Sequence, residues 1–300
     1  MTHTKSVLIV GGSGYLGSYL AKRLRDGYKV YATYFKKPAA IPGVSFIPMD
    51  VENRNWVKRV VYTTQPSVVI YVAGSNDMQE AEKNARNCER LHADGPTTLA
   101  GSTDIMQPRF IYLSNSYVFD GTKGNYHEQD TILPGTVLGR MKSGGENAMK
   151  SKCLNYIILR SSPTFGRSNG LNLSFFDRLR MTLDRGKRIE LSTDELHAFA
   201  PLDGLCDLII KLIGSGVKNR VLHYGGLTKM NHFEFGQAFA KRFGYDPNLV
   251  VARTASQNTD GQPLFDFSLN FTQAVDILKI KPFLLEEGFD LIEQQLIPKS

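Results

Sequence analysis

Cysteine is scarce in this chain of 300 residues: there are 3, Cys88, Cys153 and Cys206, odd in number and far apart. They form neither a disulfide framework nor a zinc-ligand spacing, so reduced thiols in a cytoplasmic setting are expected. No apolar run approaches the roughly 20 residues that cross a membrane as a helix, and no membrane partner is expected. The first apolar stretch is only a strand long and lacks a cleavage-site pattern, which argues against a secretory leader. Internal repeats and low-complexity segments are missing too. The net charge of +7 is carried by dispersed basic residues, such as Lys58-Arg59, Arg140 and Lys150, with acids among them. Such a surface attracts small anions but lacks the continuous basic stripe of a nucleic-acid binder. His92, His197 and His223 show neither metal spacing nor a triad partner, so packing or surface roles are expected of them.

What is present begins at once. Residues 6–17 read Ser-Val-Leu-Ile-Val-Gly-Gly-Ser-Gly-Tyr-Leu-Gly. Val7 to Val10 is a buried-strand run, a tight turn falls on Gly11, Gly12 and Gly14, and Tyr15, Leu16 and Gly17 open a helix. Glycine meets the unusual backbone angles of such a turn and lets a pyrophosphate reach the backbone. The amides at the helix N-terminus then face the phosphate charge. A glycine pattern alone is a weak signal; here it follows a strand, precedes a helix and starts a βαβ alternation. A bound dinucleotide is therefore expected.

Further strands are predicted at Tyr28 to Tyr34, Val44 to Ile47, Ser67 to Val72, Phe110 to Leu113, Tyr156 to Leu159 and 220–224. Between them lie helix-like stretches near 56–62 and 136–151, a long polar one over 78–105, and another over 203–214. Strands separated by helical crossovers predict an α/β fold, a Rossmann-type doubly wound parallel sheet with ligands at the strand C-terminal ends. Residues 1–166 make the dinucleotide-binding unit, which 194–225 rejoins; 167–193 and 226–300 make a smaller C-terminal substrate lobe.

The second strand ends in Tyr34, followed by Phe35, Lys36 and Lys37, and no acid occurs between Asp26 and Asp50. NAD binders place an Asp or Glu near this point to hold the ribose 2′-hydroxyl. Its absence, with Lys36 or Lys37 available for a 2′-phosphate, favours NADP(H) over NAD(H). Asp50 and Val51, after the third strand, suit the adenine edge, and Ala73-Gly74 gives a small-residue floor beside the cofactor.

Residues 114–121 read Ser-Asn-Ser-Tyr-Val-Phe-Asp-Gly; Tyr126-His-Glu-Gln-Asp130 and Pro134-Gly-Thr-Val-Leu-Gly-Arg-Met-Lys142-Ser-Gly-Gly-Glu146 follow. This resembles the extended short-chain dehydrogenase/reductases, in particular the dTDP-4-dehydrorhamnose reductase branch. That branch has a strand ending in Ser-Thr-Asp-Tyr-Val-Phe-Asp-Gly and a helix carrying Tyr-Gly-x-x-Lys with a following Gly-Glu. Phe199-Ala-Pro-Leu-Asp203 and Ser268-Leu-Asn270 are looser matches, so the resemblance runs the length of the chain. It implies a nucleotide-sugar substrate and leaves homodimerisation through helices open.

In that register Asn115 stands where the family has its active-site Thr or Ser. Leu138 stands where it has its catalytic Tyr, with Lys142 one helical turn on. No tyrosine lies between Tyr126 and Tyr156 to restore the match. The resemblance gives the missing Tyr the role of proton donor to the reduced carbonyl oxygen, and gives Lys142 the nicotinamide ribose hydroxyls. Asn115 retains an amide that can stabilise a carbonyl oxygen. Tyr117, two residues beyond it on an extended strand, would share its face and is the candidate replacement acid, with Tyr126 and His127 as loop alternatives. Arg178, Arg180 and Arg188 are weaker candidates for a substrate diphosphate. Two readings follow: a slow NADPH-dependent nucleotide-sugar oxidoreductase, or a regulatory NADP(H)-binding protein, since a relative in the same branch serves as a regulatory subunit.

Overall fold

The computed structural model describes residues 5–169, 171, 173–254 and 265–296. The chain opens with β1 (Ser6–Val10), α1 (Tyr15–Leu24), β2 (Lys29–Tyr34), β3 (Val44–Pro48), α2 (Arg54–Thr64) and β4 (Val68–Tyr71). Next come α3 (Met78–Lys83), α4 (Ala85–Glu89), a π-helical turn (Arg90–Asp94), α5 (Gly95–Ser102), β5 (Arg109–Asn115) and a 3-10 turn (Ser116–Val118). Then follow α6 (Val137–Lys152), β6 (Tyr156–Ser161), β7 (Thr164–Phe165), α7 (Phe175–Leu183), β8 (Ile189–Ser192), β9 (Glu195–Leu196) and β10 (Ala200–Pro201). The last elements are α8 (Leu202–Gly214), β11 (Arg220–Tyr224), α9 (His232–Arg242), β12 (Val250–Arg253), β13 (Phe265–Asp266), α10 (Thr272–Leu278) and α11 (Leu285–Leu296).

Seven strands form one parallel sheet in the order β11-β6-β5-β4-β1-β2-β3. The period of two in β1 explains why helices cover both faces. Val7 and Ile9 pack with Leu20 and Leu24 of α1 and Leu205 and Ile209 of α8. Leu8 and Val10 pack the other way, with Val57 and Val61 of α2, Leu99 of α5 and Met149 of α6. Each such side chain, fully buried, contributes about 1.5–3 kcal/mol relative to exposure. The strand order reverses between β1 and β4, and the crevice of a doubly wound sheet opens at that point.

A second core is rich in phenylalanine: Phe165, Phe176, Phe199, Phe235, Phe239 and Phe289. Capping boxes at Ser174/Asp177 and Asn231/Glu234 start its helices α7 and α9. The C-terminal segments contribute to both cores. α10 lies on β11 and α8, with Ala274 buried in the main core, whereas β9 pairs with β13.

The expected long polar helix over 78–105 is instead four pieces. Asp77 caps α3, Asn84 leaves helical angles to cap α4, and Pro96 sits in the first turn of α5. Short polar side chains that bond to nearby amides start α3 and α4, whereas the π-helical turn and α5 follow without a side-chain cap. No helix among the described residues is long and apolar enough to cross a membrane.

Candidate functional site

The turn after β1 is built so tightly that its glycines have separate jobs. Gly11 has φ +87°, and a Cβ there would lie 2.6 Å from Ala73 Cα on the neighbouring strand end. A Cβ on Gly17 would lie 2.2 Å from the Gly11 carbonyl oxygen, so α1 can press against the turn only with glycine there. Gly14 differs: at φ −71°, its added Cβ would meet only that same oxygen, at 3.1 Å. Gly14 is also the N-cap of α1 and offers no side-chain cap, so the first-turn amides of Tyr15, Leu16 and Gly17 remain for an anion. Leu16 itself is buried in the core, which leaves its amide as its contribution. The cradle fits a dinucleotide pyrophosphate. It is also fastened to its surroundings: Gly11 N–H donates to Thr33 Oγ1 at 3.1 Å, the Tyr15 hydroxyl to Gly166 O at 3.2 Å, and Asn169 Nδ2 to Ser13 O at 3.3 Å.

Around the cradle, Tyr34 is half-buried at the end of β2, and Lys36 and Lys37 are exposed beyond it. The Arg90 guanidinium lies over the Phe35 ring, 5.5 Å from its centre, a neighbour that sequence spacing does not reveal. Asp50 Oδ1 accepts from Glu52 N–H at 3.1 Å, and Val51 is buried beside it. Ala73 abuts Gly11, while Gly74, at φ +100°, lies against the ring of His92.

The chemical positions lie at the C-terminal end of β5 and the start of α6. Thr136 caps α6, its hydroxyl accepting from Gly139 N–H at 3.0 Å. Lys142 is 3 % exposed and its Nζ donates to Leu113 O at 2.9 Å. Burial pushes its pKa down to about 7, against the opposing pull of Cys88 and Glu146. Leu138 is 0 % exposed and packs with Ala81, Cys88, Tyr117, Val137 and Phe267. Asn115 is engaged at both ends of its amide: Oδ1 accepts from Tyr117 N–H at 3.1 Å and Nδ2 donates to Asn76 Oδ1 at 3.4 Å.

Tyr117 is not on the extended strand that alternation required. β5 stops at Asn115, which caps the 3-10 turn carrying Tyr117. The Tyr117 hydroxyl donates to Glu195 Oε2 at 2.9 Å, and burial, then the Glu195 charge, push its pKa well up. Tyr126 stacks on Phe119 and donates to Asp120 Oδ1 at 2.6 Å, whereas His127 is exposed. Arg178 donates to Leu173 O at 2.9 Å, Arg180 lies 3.8 Å from Asp184, and Arg188 is exposed.

The three histidines are all buried. His197 Nε2 donates to Glu195 Oε2 at 3.2 Å, and His223 Nδ1 to Tyr126 O at 3.0 Å. His92 Nε2 donates to Ser75 O at 2.9 Å. Glu195 carried no sequence signal, because its partner Tyr117 lies 78 residues away in the chain.

Comparison with known proteins agrees with this geometry. The family model described as the RmlD substrate binding domain matches residues 5–265. A dTDP-4-dehydrorhamnose reductase from Aggregatibacter actinomycetemcomitans is 27% identical over 240 residues, 77% of each chain. The methionine adenosyltransferase 2 subunit beta of Bos taurus is 27% identical over 183 residues, 59% of this chain and 54% of that one. In fold, the chain is similar to the Bacillus anthracis dTDP-4-dehydrorhamnose reductase crystallised with NADP: the TM-score is 0.81 at 20% identity, covering 97% and 99% of the two chains. With its glycine cradle, doubly wound sheet and buried helix lysine, this chain belongs to the RmlD substrate-binding-domain family and is related to dTDP-4-dehydrorhamnose reductases.

Proposed function

We propose that this chain is an NADP(H)-binding, nucleotide-sugar reductase-like protein in which standard tyrosine-dependent reduction is weak or absent. One observation carries the reading: Leu138, one turn before Lys142, is fully buried in an apolar cluster at the position where the family has its proton donor. The Gly11–Gly17 cradle would hold the pyrophosphate, and Lys36 or Lys37 a 2′-phosphate. Asp50 and Val51 would border the adenine, Tyr34, Ala73 and Gly74 would line the cofactor, and Lys142 would hold ribose hydroxyls. Bound there, the cofactor supplies a hydride.

Reduction of a keto carbon also leaves an oxygen that must gain a proton. Leu138 has none to give. The Asn115 amide is tied to Tyr117 N–H and Asn76, and the Tyr117 hydroxyl is tied to Glu195. Loss of a positioned general acid forfeits about 10²–10⁴ in rate. The same burial favours a second reading, a regulatory or sensing NADP(H)-binding protein, a role consistent with the likeness to a subunit of methionine adenosyltransferase.

The test is NADPH oxidation with a dTDP-4-keto-6-deoxy sugar. The wild type is expected to turn over very slowly, and Leu138→Tyr with Asn115→Thr to gain at least about tenfold. The larger ring must enter a packed cluster and costs about 1–3 kcal/mol, so thermal melting accompanies the assay. Brisk wild-type turnover overturns the proposal. No gain in a folded, NADPH-binding variant moves the regulatory reading ahead.

A further inference from the structure

His92 sits on the π-helical turn Arg90–Asp94. A π register releases backbone carbonyls from the regular helical ladder, and here two buried tyrosines take them. Tyr71 of β4 donates to Leu91 O at 2.6 Å, and Tyr112 of β5 donates to His92 O at 2.9 Å. Two glycines clear the space: a Cβ on Gly95 would lie 2.4 Å from the Tyr71 hydroxyl, and one on Gly145 would lie 2.2 Å from that of Tyr112. The turn is thus fixed from both strands, and it delivers the His92 ring beneath the Ala73–Gly74 floor. A Cβ on Gly74 would come within 2.3 Å of His92 Cε1.

The protonation of this ring follows from its partner. Ser75 O can only accept, so Nε2 carries the hydrogen. Burial, reinforced by the charge of Lys142, holds the imidazole neutral. Nδ1 is therefore a lone-pair acceptor, and among the described residues it is buried with no hydrogen-bond partner. Lys142, whose charge bears on His92, has the complementary role of a donor, as it shows toward Leu113 O at 2.9 Å. A hydroxyl that accepts from Lys142 keeps a proton to place, and the unpartnered Nδ1 of His92 is an acceptor for it.

We propose that His92 Nδ1 accepts a hydrogen bond from a hydroxyl of the nicotinamide-side ribose of bound NADP(H), with Lys142 donating to the same diol. The assignment rests on the reading that the chain holds this cofactor. It makes His92 a cofactor-binding residue, where the sequence suggests packing.

The experiment follows the ¹⁵N resonances of the histidines, with His92 assigned by its loss in His92→Phe. Saturation with NADPH is expected to move the unprotonated Nδ1 resonance upfield, as hydrogen bonding to a lone pair does. Adenosine 2′,5′-bisphosphate, which lacks the nicotinamide-side ribose, is expected to leave it in place. His92→Phe should weaken NADPH by about threefold to tenfold, the worth of one hydrogen bond, and leave the bisphosphate affinity unchanged. An Nδ1 resonance unmoved by saturating NADPH, or moved equally by both ligands, overturns the assignment. Equal losses for both ligands in the variant also overturn it, since they mark His92 as a prop for the loop. If neither ligand binds the wild type, the cofactor reading itself fails and this one with it.

Discussion

The Tyr117 hydroxyl donates a hydrogen bond to Glu195 Oε2 at 2.9 Å, and this bond ties the turn after β5 to β9. His197 adds a second donor to the same carboxylate oxygen at 3.2 Å, and Phe267 packs edge-on against Tyr117 with ring centres 4.8 Å apart. The phenol of the Leu138 cluster is thereby committed to a carboxylate, and its raised pKa makes it a weak proton source.

Glu195 should contribute to acid sensitivity. Burial works to raise its pKa, but hydrogen bonds from His197 and Tyr117 outweigh burial and hold it below the ordinary glutamate range. With the folded value below the unfolded one of about 4.3, its stabilisation is full above that value and fades as pH falls through the folded pKa. Glu195→Gln is expected to cost about 1.5–3 kcal/mol at neutral pH and to converge with the wild type in acid. Urea unfolding at a series of pH values measures this; parallel curves would refute the assigned role.

Two glycines of one turn should respond in opposite ways. Gly14→Val retains an allowed φ and meets only one carbonyl oxygen, so the protein folds, yet the side chain occupies the pyrophosphate's approach. Gly17→Ala drives a methyl to 2.2 Å from Gly11 O and should lower the melting temperature. Circular dichroism and NADPH calorimetry separate the two. A folded Gly14→Val that binds normally would mean that the cradle is misassigned.

The cofactor's phosphate should be felt at the end of β2. NADPH is expected to bind more tightly than NADH, and Lys36→Ala with Lys37→Ala to erase most of the difference. Equal wild-type affinities in calorimetric titration would dismiss the role given to these lysines.

The Arg160 guanidinium meets Glu146 in two hydrogen bonds of 2.9 and 2.7 Å, with side chains 1% and 0% exposed. Its remaining Nη1 reaches Glu128 O and His223 Nε2 at 3.4 and 3.3 Å. Arg160→Met leaves the buried Glu146 carboxylate with only the half-exposed Lys150 ammonium, 3.9 Å away, and is expected to cost about 3–5 kcal/mol. Adding Glu146→Leu should recover part of that loss in denaturant unfolding. A double variant less stable than the single one would contradict the argument.

What was legible in the sequence was local. The run Val7 to Val10, the glycines and the opening of α1 are adjacent in the chain, and their roles follow from backbone geometry and a period of two. The register that sets Leu138 opposite the family tyrosine likewise rests on a local motif. The surroundings of Leu138 could not, since Ala81, Tyr117 and Phe267 reach it from distant segments. Alternation placed Tyr117 on a strand because it takes no account of Asn115, whose side chain ends the strand by capping the next turn. The π-helical turn was hidden for a similar reason: the tyrosines bonded to its carbonyls lie on other elements.

The two bonds between the cradle and the stretch after β7, Tyr15 to Gly166 and Asn169 to Ser13, have a thermodynamic consequence. Any movement of that stretch away from the cradle must stretch or break them. Were a ligand to bind with that stretch held in and another with it moved out, each would change the other's affinity by the same factor.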